Sequence, residues 1–172
     1  QYEVNVDSYK SIVPISIKED GTLAPMRFLS FDIEAKRKLP GFVKADVDPV
    51  VLICAAVHDV GKGIKHKVVF ALCDRPGTTV DAIEEGATIY TFARERDLLL
   101  AFAQYIRESD PDAFTGWNIT NFDWPYLCGR AKALDITDDF MMFSRIINKA
   151  AWIRTQVFQS KAYGAKKTNE LL

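Results

Sequence analysis

Two carboxylates held close together on an apolar run are the first residues of this chain whose types and spacing could do chemistry. In Phe31-Asp32-Ile33-Glu34 they stand at positions i and i+2. Met26 to Ile33 reads Met-Arg-Phe-Leu-Ser-Phe-Asp-Ile, the pattern of a central strand in a sheet buried on both faces. Side chains alternate along a strand, so Asp32 and Glu34 project from the same face, their Cα atoms roughly 6.6 Å apart at about 3.3 Å per residue. Two anions at the end of a hydrophobic strand repel one another and lose hydration. A divalent cation relieves both effects, and carboxylate oxygens suit magnesium or manganese. The same pair could equally close a strand that ends in solvent, where it costs little. The stretch alone leaves both readings open.

A second acidic element lies further on. Thr115-Gly116-Trp117-Asn118-Ile119-Thr120-Asn121-Phe122-Asp123 runs from the end of a strand into a helix, and catalytic groups of open α/β sheets collect at such strand ends. Taken singly, Asp123 reads as a helix N-cap and Asn118 as a turn residue.

The elements that must position these residues follow from periodicity and breakers. Residues 1–24 alternate loosely and suggest one or two short strands, with a turn at Glu19-Asp20-Gly21. The charged stretch from Ala35 to Asp48, broken by Pro40 and Gly41, reads as a surface loop. Val50 to Val57 is a second strand apolar on both faces, Gly61-Lys62-Gly63 a tight turn, and Lys67 to Cys73 a third strand. Short turns make these three an antiparallel meander. Ala87 to Phe92 is a short extended piece. A helix opens at Arg94-Glu95-Arg96-Asp97, lines up Leu98, Leu99, Phe102, Tyr105 and Ile106 on one face, and stops at Asp110-Pro111. Ala113 to Thr115 reads as a strand and Asp123 to Leu134 as a helix entered near Pro125. The fold class is therefore α/β, a mixed β-sheet flanked by helices.

Composition narrows the function classes. With 172 residues, 48% hydrophobic and 26% charged, the chain fits one ordinary globular domain. A net charge of −1 offers no basic field for wrapping duplex nucleic acid, yet permits an enzyme that grips a few nucleotides through metal ions. Cys54, Cys73 and Cys128 form no C-x-x-C pair, and His58 and His66 have no cysteine near enough in sequence for a zinc site. Cys54 and Cys73 sit in apolar runs and read as small core residues of a protein in a reducing compartment. No apolar run reaches membrane-spanning length, so no membrane partner is expected. Trp117, Trp124 and Trp152 read as packing residues.

Together the two acidic elements resemble the 3′→5′ exonuclease domain of family B DNA polymerases. Phe31-Asp32-Ile33-Glu34 is similar to the family's first exonuclease motif. Asn118-x-x-x-Phe122-Asp123, with flanking Thr115-Gly116 and Pro125-Tyr126-Leu127, is similar to the second. Ala24-Pro25-Met26-Arg27 and Phe158-Gln159-Ser160-Lys161-Ala162-Tyr163-Gly164 resemble the delta-type replicative group, cellular or from large DNA viruses. Ala35 and Trp117 depart from it, standing where cysteine and tyrosine are more usual. The third motif, Tyr-x-x-x-Asp, is not found: Tyr163-x-x-x-Lys167 has the wrong last residue.

The resemblance implies a ribonuclease-H-like fold, C-terminally incomplete, with residues 1–24 as lead-in strands and 25–172 as the exonuclease domain. It implies proofreading during DNA replication, by two-metal hydrolysis of the primer's 3′-terminal phosphodiester. Two divalent ions, Mg2+ or Mn2+, would be held by Asp32, Glu34 and Asp123, and ions about 3.5–4 Å apart stabilise attacking and leaving oxygens together. Asn118, Phe122 and Phe31 would face the substrate. The partners implied are the single-stranded 3′ end of primer DNA, the rest of a polymerase chain, and accessory subunits and a sliding clamp contacted elsewhere. The location implied is the nucleus or a viral replication site. Phe158 to Leu172 would form a β-hairpin that aids primer transfer, with Lys161, Lys166 and Lys167 available to phosphates; the same stretch reads equally as a solvated charged loop. Without the third motif these 172 residues alone should be catalytically crippled. A stand-alone exonuclease of the same fold, or an inactive binding module, are the alternatives.

Overall fold

In the computed structural model, which describes residues 5–16, 25–38, 40–73, 86–146, 148–160 and 164–172, a five-stranded sheet carries the chain's two acidic elements. Strands β1 (Arg27–Ala35), β2 (Val50–Asp59) and β3 (Gly63–Leu72) form the expected antiparallel meander. The β2–β3 turn holds Gly61 at φ 78° and Gly63 at φ 83°, where a side chain would be strained. Strand β4 (Ala87–Phe92) adds parallel to β3, and β5 (Ala113–Thr115) parallel to β1, giving the order β4-β3-β2-β1-β5. Helices α1 (Glu95–Ser109) and α2 (Asp123–Ala133) pack against the sheet, and the one-turn α3 (Thr137–Phe140) packs against both helices. The α/β, ribonuclease-H-like mixed sheet is borne out.

The core lies on one face of β1. Leu29, Phe31 and Ile33 are buried, and the Phe31 ring meets Phe102 of α1 at 5.4 Å and Trp124 of α2 at 4.9 Å between centroids. Burying side chains of this size contributes about 1.5–3 kcal/mol each, which fixes the register of the alternating strand. The opposite face departs from expectation. Asp32, Glu34 and Cys54 are exposed, and Ser30, Leu52 and Ala56 are half-buried, so neither β1 nor β2 is covered on both sides. Apolar runs alone do not distinguish one covered face from two.

Other differences have local causes. Residues 5–16 contain no strand but a single 3-10 turn at Tyr9–Ser11, and Tyr9, Ile12, Val13 and Ile15 are exposed. The turn expected at Glu19-Asp20-Gly21 lies outside the described residues, as do Lys161 and Tyr163. The terminal hairpin starts earlier than the motif suggested: β6 (Ile153–Ser160) pairs antiparallel with β7 (Gly164–Leu171). Reciprocal amide bonds between Trp152 and Leu172, at 2.9 and 2.8 Å, close its base.

Candidate active site

The geometry of the site follows from how short β5 is. It pairs with β1 only from Phe28↔Ala113 to Ser30↔Thr115 and then stops, leaving the end of β1 with an open edge. An unpaired strand amide away from water needs an acceptor. For Ile33, the residue between Asp32 and Glu34, that acceptor is the Asp123 carboxylate: Ile33 N donates to Asp123 Oδ1 at 3.2 Å. Asp123 opens α2 but does not cap it; the N-cap is Phe122, which makes no side-chain cap bond. The second acidic element is thereby attached to the first.

Gly116 makes this approach possible. A Cβ at that position would lie 2.6 Å from the Phe31 carbonyl oxygen and would overlap the Ile119 γ-methyl. Only glycine lets the chain leave β5 against β1 so closely. The following turn is built on Asn118 at φ 57°, a left-handed conformation that asparagine tolerates. Its carbonyl accepts from the amides of Asn121 and Phe122, both at 3.0 Å, and its Oδ1 accepts from Asn121 Nδ2 at 3.1 Å. Asn118 is thus an exposed turn residue at the rim of the site.

The electrostatics report the proximity of the acids. Asp123 is 1% exposed, and desolvation pushes its carboxyl above the ordinary range, with the Asp32 charge adding to the rise. Its own amide and that of Ile33 pull the other way. Cys54, opposite Asp32 in the β1–β2 register, has its thiol pushed up by partial desolvation and then by the charges of Asp32 and Glu34. It is exposed on the acidic face and is not the core residue expected.

These residues fit hard cations in donor chemistry, with three carboxylates and one charge that its surroundings disfavour. They do not form a closed cage: among the described residues no three of His, Cys, Asp or Glu already converge as a metal-holding group. Asp32 and Glu34 are open to solvent, while Asp123 reaches the strand from its edge.

The aromatic residues divide differently from expectation. Phe31 was expected to face substrate, but its ring is 3% exposed and packed in the core. Adjacency to Asp32 on a strand puts it on the opposite face. Phe122 is half-buried, 5.6 Å from Tyr126 and 5.8 Å, edge-to-face, from Phe42. Trp124 packs as expected at 2% exposed, whereas Trp117 is 90% and Trp152 53% exposed, so neither is a core residue. Lys167 is exposed on β7.

Phe42 was missed in the sequence. It is 78% exposed and sits on the β1–β2 loop (the 36–49 loop), whose residues Ala45 and Asp48 are bonded to α2. The buried Asp48 carboxylate accepts from the amides of Lys38 at 2.7 Å and Lys44 at 2.8 Å, and those bonds hold it below the usual carboxylate range. Tyr126 Oη donates to the Asp48 carbonyl at 2.9 Å, and Arg130 Nη1 to the Ala45 carbonyl at 3.0 Å. A Cβ on Gly129 would lie 2.7 Å from that of Ala45. The available signal was a large aromatic stranded in an otherwise charged loop. A cavity of about 730 Å³ lies elsewhere, lined by Ile106, Phe114, Ile119, Trp124, Phe143 and Leu171 among others and by none of the three acids.

Comparison with known proteins shows the family. A family model described as DNA polymerase family B, exonuclease domain, matches residues 1–172. The chain is 36% identical over 156 residues to the DNA polymerase delta catalytic subunit of Oryza sativa subsp. japonica, covering 89% of this chain and 13% of that one. It is 38% identical over 144 residues to the corresponding subunit of Bos taurus, covering 84% and 12%. A solved family B DNA polymerase from the archaeon Pyrobaculum calidifontis is 31% identical, with a TM-score of 0.48 over 69% of this chain and 12% of that chain. The chain therefore spans only about an eighth of the curated relatives it matches.

Proposed function

Since the chain belongs to the exonuclease domain family of family B DNA polymerases, we propose that it forms the acidic wall of a proofreading site acting on the 3′ end of a DNA primer. The observation that carries the proposal is the Asp123 carboxylate on the Ile33 amide, midway between Asp32 and Glu34. That bond ties the acid of α2 to the strand end that carries the other two, which supports reading the three as one site.

Asp32, Glu34 and Asp123 would hold two divalent ions, Mg2+ or Mn2+. When bound, such ions lower the pKa of an attacking water and neutralise charge on the departing 3′ oxygen. The residues of the chain do the rest. Asp32 and Glu34 stay solvent-accessible, so a phosphodiester can reach them. The Ile33 amide and the rigid end of β1 hold the Asp123 carboxylate in place. Asn118, fixed in its left-handed turn, offers an amide to a sugar or phosphate. Phe122 and Phe42 offer ring surface to a terminal base, and each stacked base contributes about 1–3 kcal/mol without sequence preference. A mismatched end has already lost its pairing, so its single-stranded entry is cheaper.

The curated relatives from Oryza sativa and Bos taurus are polymerase delta catalytic subunits, and the parent reaction would belong to DNA replication, in a nucleus or at a viral replication site. The experiment is removal of 3′-terminal nucleotides from single-stranded DNA by the polymerase containing this chain, in Mg2+ or Mn2+. Asp32→Ala and Asp123→Ala should each abolish it. Undiminished hydrolysis in either variant would refute the assignment.

A further inference from the structure

The pair Glu95–Arg130 is buried, charged and unused by the reaction above. Its members come from α1 and α2 and are 8% and 6% exposed. Arg130 Nε donates to Glu95 Oε1 at 2.8 Å, and Arg130 Nη2 contacts Glu95 Oε2. The pair also reaches outward in two directions. Glu95 Oε1 accepts from the amide of Val50, where β2 begins, at 2.8 Å, and Arg130 Nη1 holds the Ala45 carbonyl of the 36–49 loop. A lone buried ion pair is weak evidence for stability, because desolvation offsets much of its attraction. Its outward bonds therefore point to what it arranges.

They arrange the aromatic pair. The 36–49 loop is fixed to α2 by Arg130, by the Tyr126 hydroxyl on the Asp48 carbonyl, and by the close approach of Ala45 to Gly129. Phe42 leaves this loop to meet Phe122, the residue before Asp123. We propose that Arg130, oriented by Glu95, is a positioning residue: by clamping the loop to α2 it sets Phe42 against Phe122 and so selects for an intact base at the 3′ terminus. This rests on the substrate reading above and adds to it a source of end recognition.

The test uses single-stranded DNA ending in 2-aminopurine or in an abasic site, with Ca2+ in place of Mg2+ so that binding is read without hydrolysis. Arg130→Lys retains a cation for Glu95 but not the simultaneous bond to Ala45, since Lys lacks the planar fork. Tyr126→Phe removes only the hydroxyl on Asp48 and serves if Arg130→Lys does not fold. Either variant should melt cooperatively and bind the 2-aminopurine end about fivefold or more weakly, with abasic-end affinity unchanged. That loss should disappear in a Phe42→Ala background, as coupled residues require.

Equal weakening of both ends, wild-type affinity for both, or a loss that persists undiminished beside Phe42→Ala would each overturn the inference. If the wild type itself ignores the terminal base, the inference falls. The proposed reaction then still stands or falls separately, on whether Mg2+-dependent hydrolysis is lost in Asp32→Ala.

Discussion

Replacing Gly116 by alanine adds one methyl group at the point where the two acidic elements touch. That methyl would sit 2.6 Å from the Phe31 carbonyl oxygen, where ordinary contact begins near 3.4 Å, and it would also overlap Ile119. The carbonyl belongs to the strand backbone and cannot swing aside. The turn carrying Asn118 and leading to Asp123 must therefore retreat from β1 by a large fraction of an ångström. Overpacking of this kind costs about 1–3 kcal/mol, or roughly 2–12 °C in Tm for a domain of this size. The catalytic effect should be larger in proportion, because a misplacement of about 1 Å can cost on the order of 100-fold in rate. Gly61→Ala is the control. Gly61 has open space around it and a φ of 78°, so alanine strains the backbone far from the acids. Thermal melting with single-turnover hydrolysis of a single-stranded 3′ end separates the two effects. Both variants should lose stability, but only Gly116→Ala should lose most of its rate. A Gly116→Ala protein as fast as wild type, or a Gly61→Ala protein equally slowed, would refute the reasoning.

Asp123→Asn should be at least as stable as wild type near pH 7 while losing hydrolysis. Burial and Asp32 raise the Asp123 pKa, so its stabilising contribution is complete below the ordinary carboxylate range and is lost as pH rises through the folded value. Melting curves between about pH 4 and 8 should be flatter for the variant, and a lower Tm at neutral pH would contradict the argument. Asp48 has the opposite sign. Its carboxylate is held low by the Lys44 and Lys38 amides, so its contribution is present above the ordinary range and fades as pH falls through the folded value. Asp48→Ala should expose the 36–49 loop to limited proteolysis at neutral pH, and unchanged cleavage would count against the loop being pinned there. Phe42→Ala should leave Tm nearly unchanged, within about 0.5 kcal/mol for an exposed position. Fluorescence anisotropy should nevertheless show roughly fivefold or greater weakening for a single-stranded 3′ end, and equal affinity would remove Phe42 from the site.

Period-two alternation makes Asp32 and Glu34 legible as a same-face pair, and breakers such as Asp110-Pro111 make α1 legible to within a residue or two. Asp123 is grouped with them only by the resemblance of its stretch to the family's second motif. Its bond to Ile33 is not legible, because it depends on β5 ending after three residues. Phe31 shows the converse problem: proximity to candidate site residues along the chain says nothing about which face a ring occupies. The same limit applies to Cys54, whose apolar neighbours conceal its place on the acidic face. Trp117 and Trp152 are exposed although tryptophan is usually well buried, since tertiary context and not residue type decides each case. The β1–β2 loop has the composition of solvent-facing chain, and its residues 40–49 are held by distant donors on α2 and by the Asp48 carboxylate.

Manganese binding followed by electron paramagnetic resonance tests the meeting of the three acids most directly. Wild-type protein should bind Mn2+, and Asp32→Ala and Asp123→Asn should each weaken binding by about tenfold or more. An Asp123→Asn protein that binds Mn2+ as tightly as wild type would show that the helix acid and the strand pair do not share a cation.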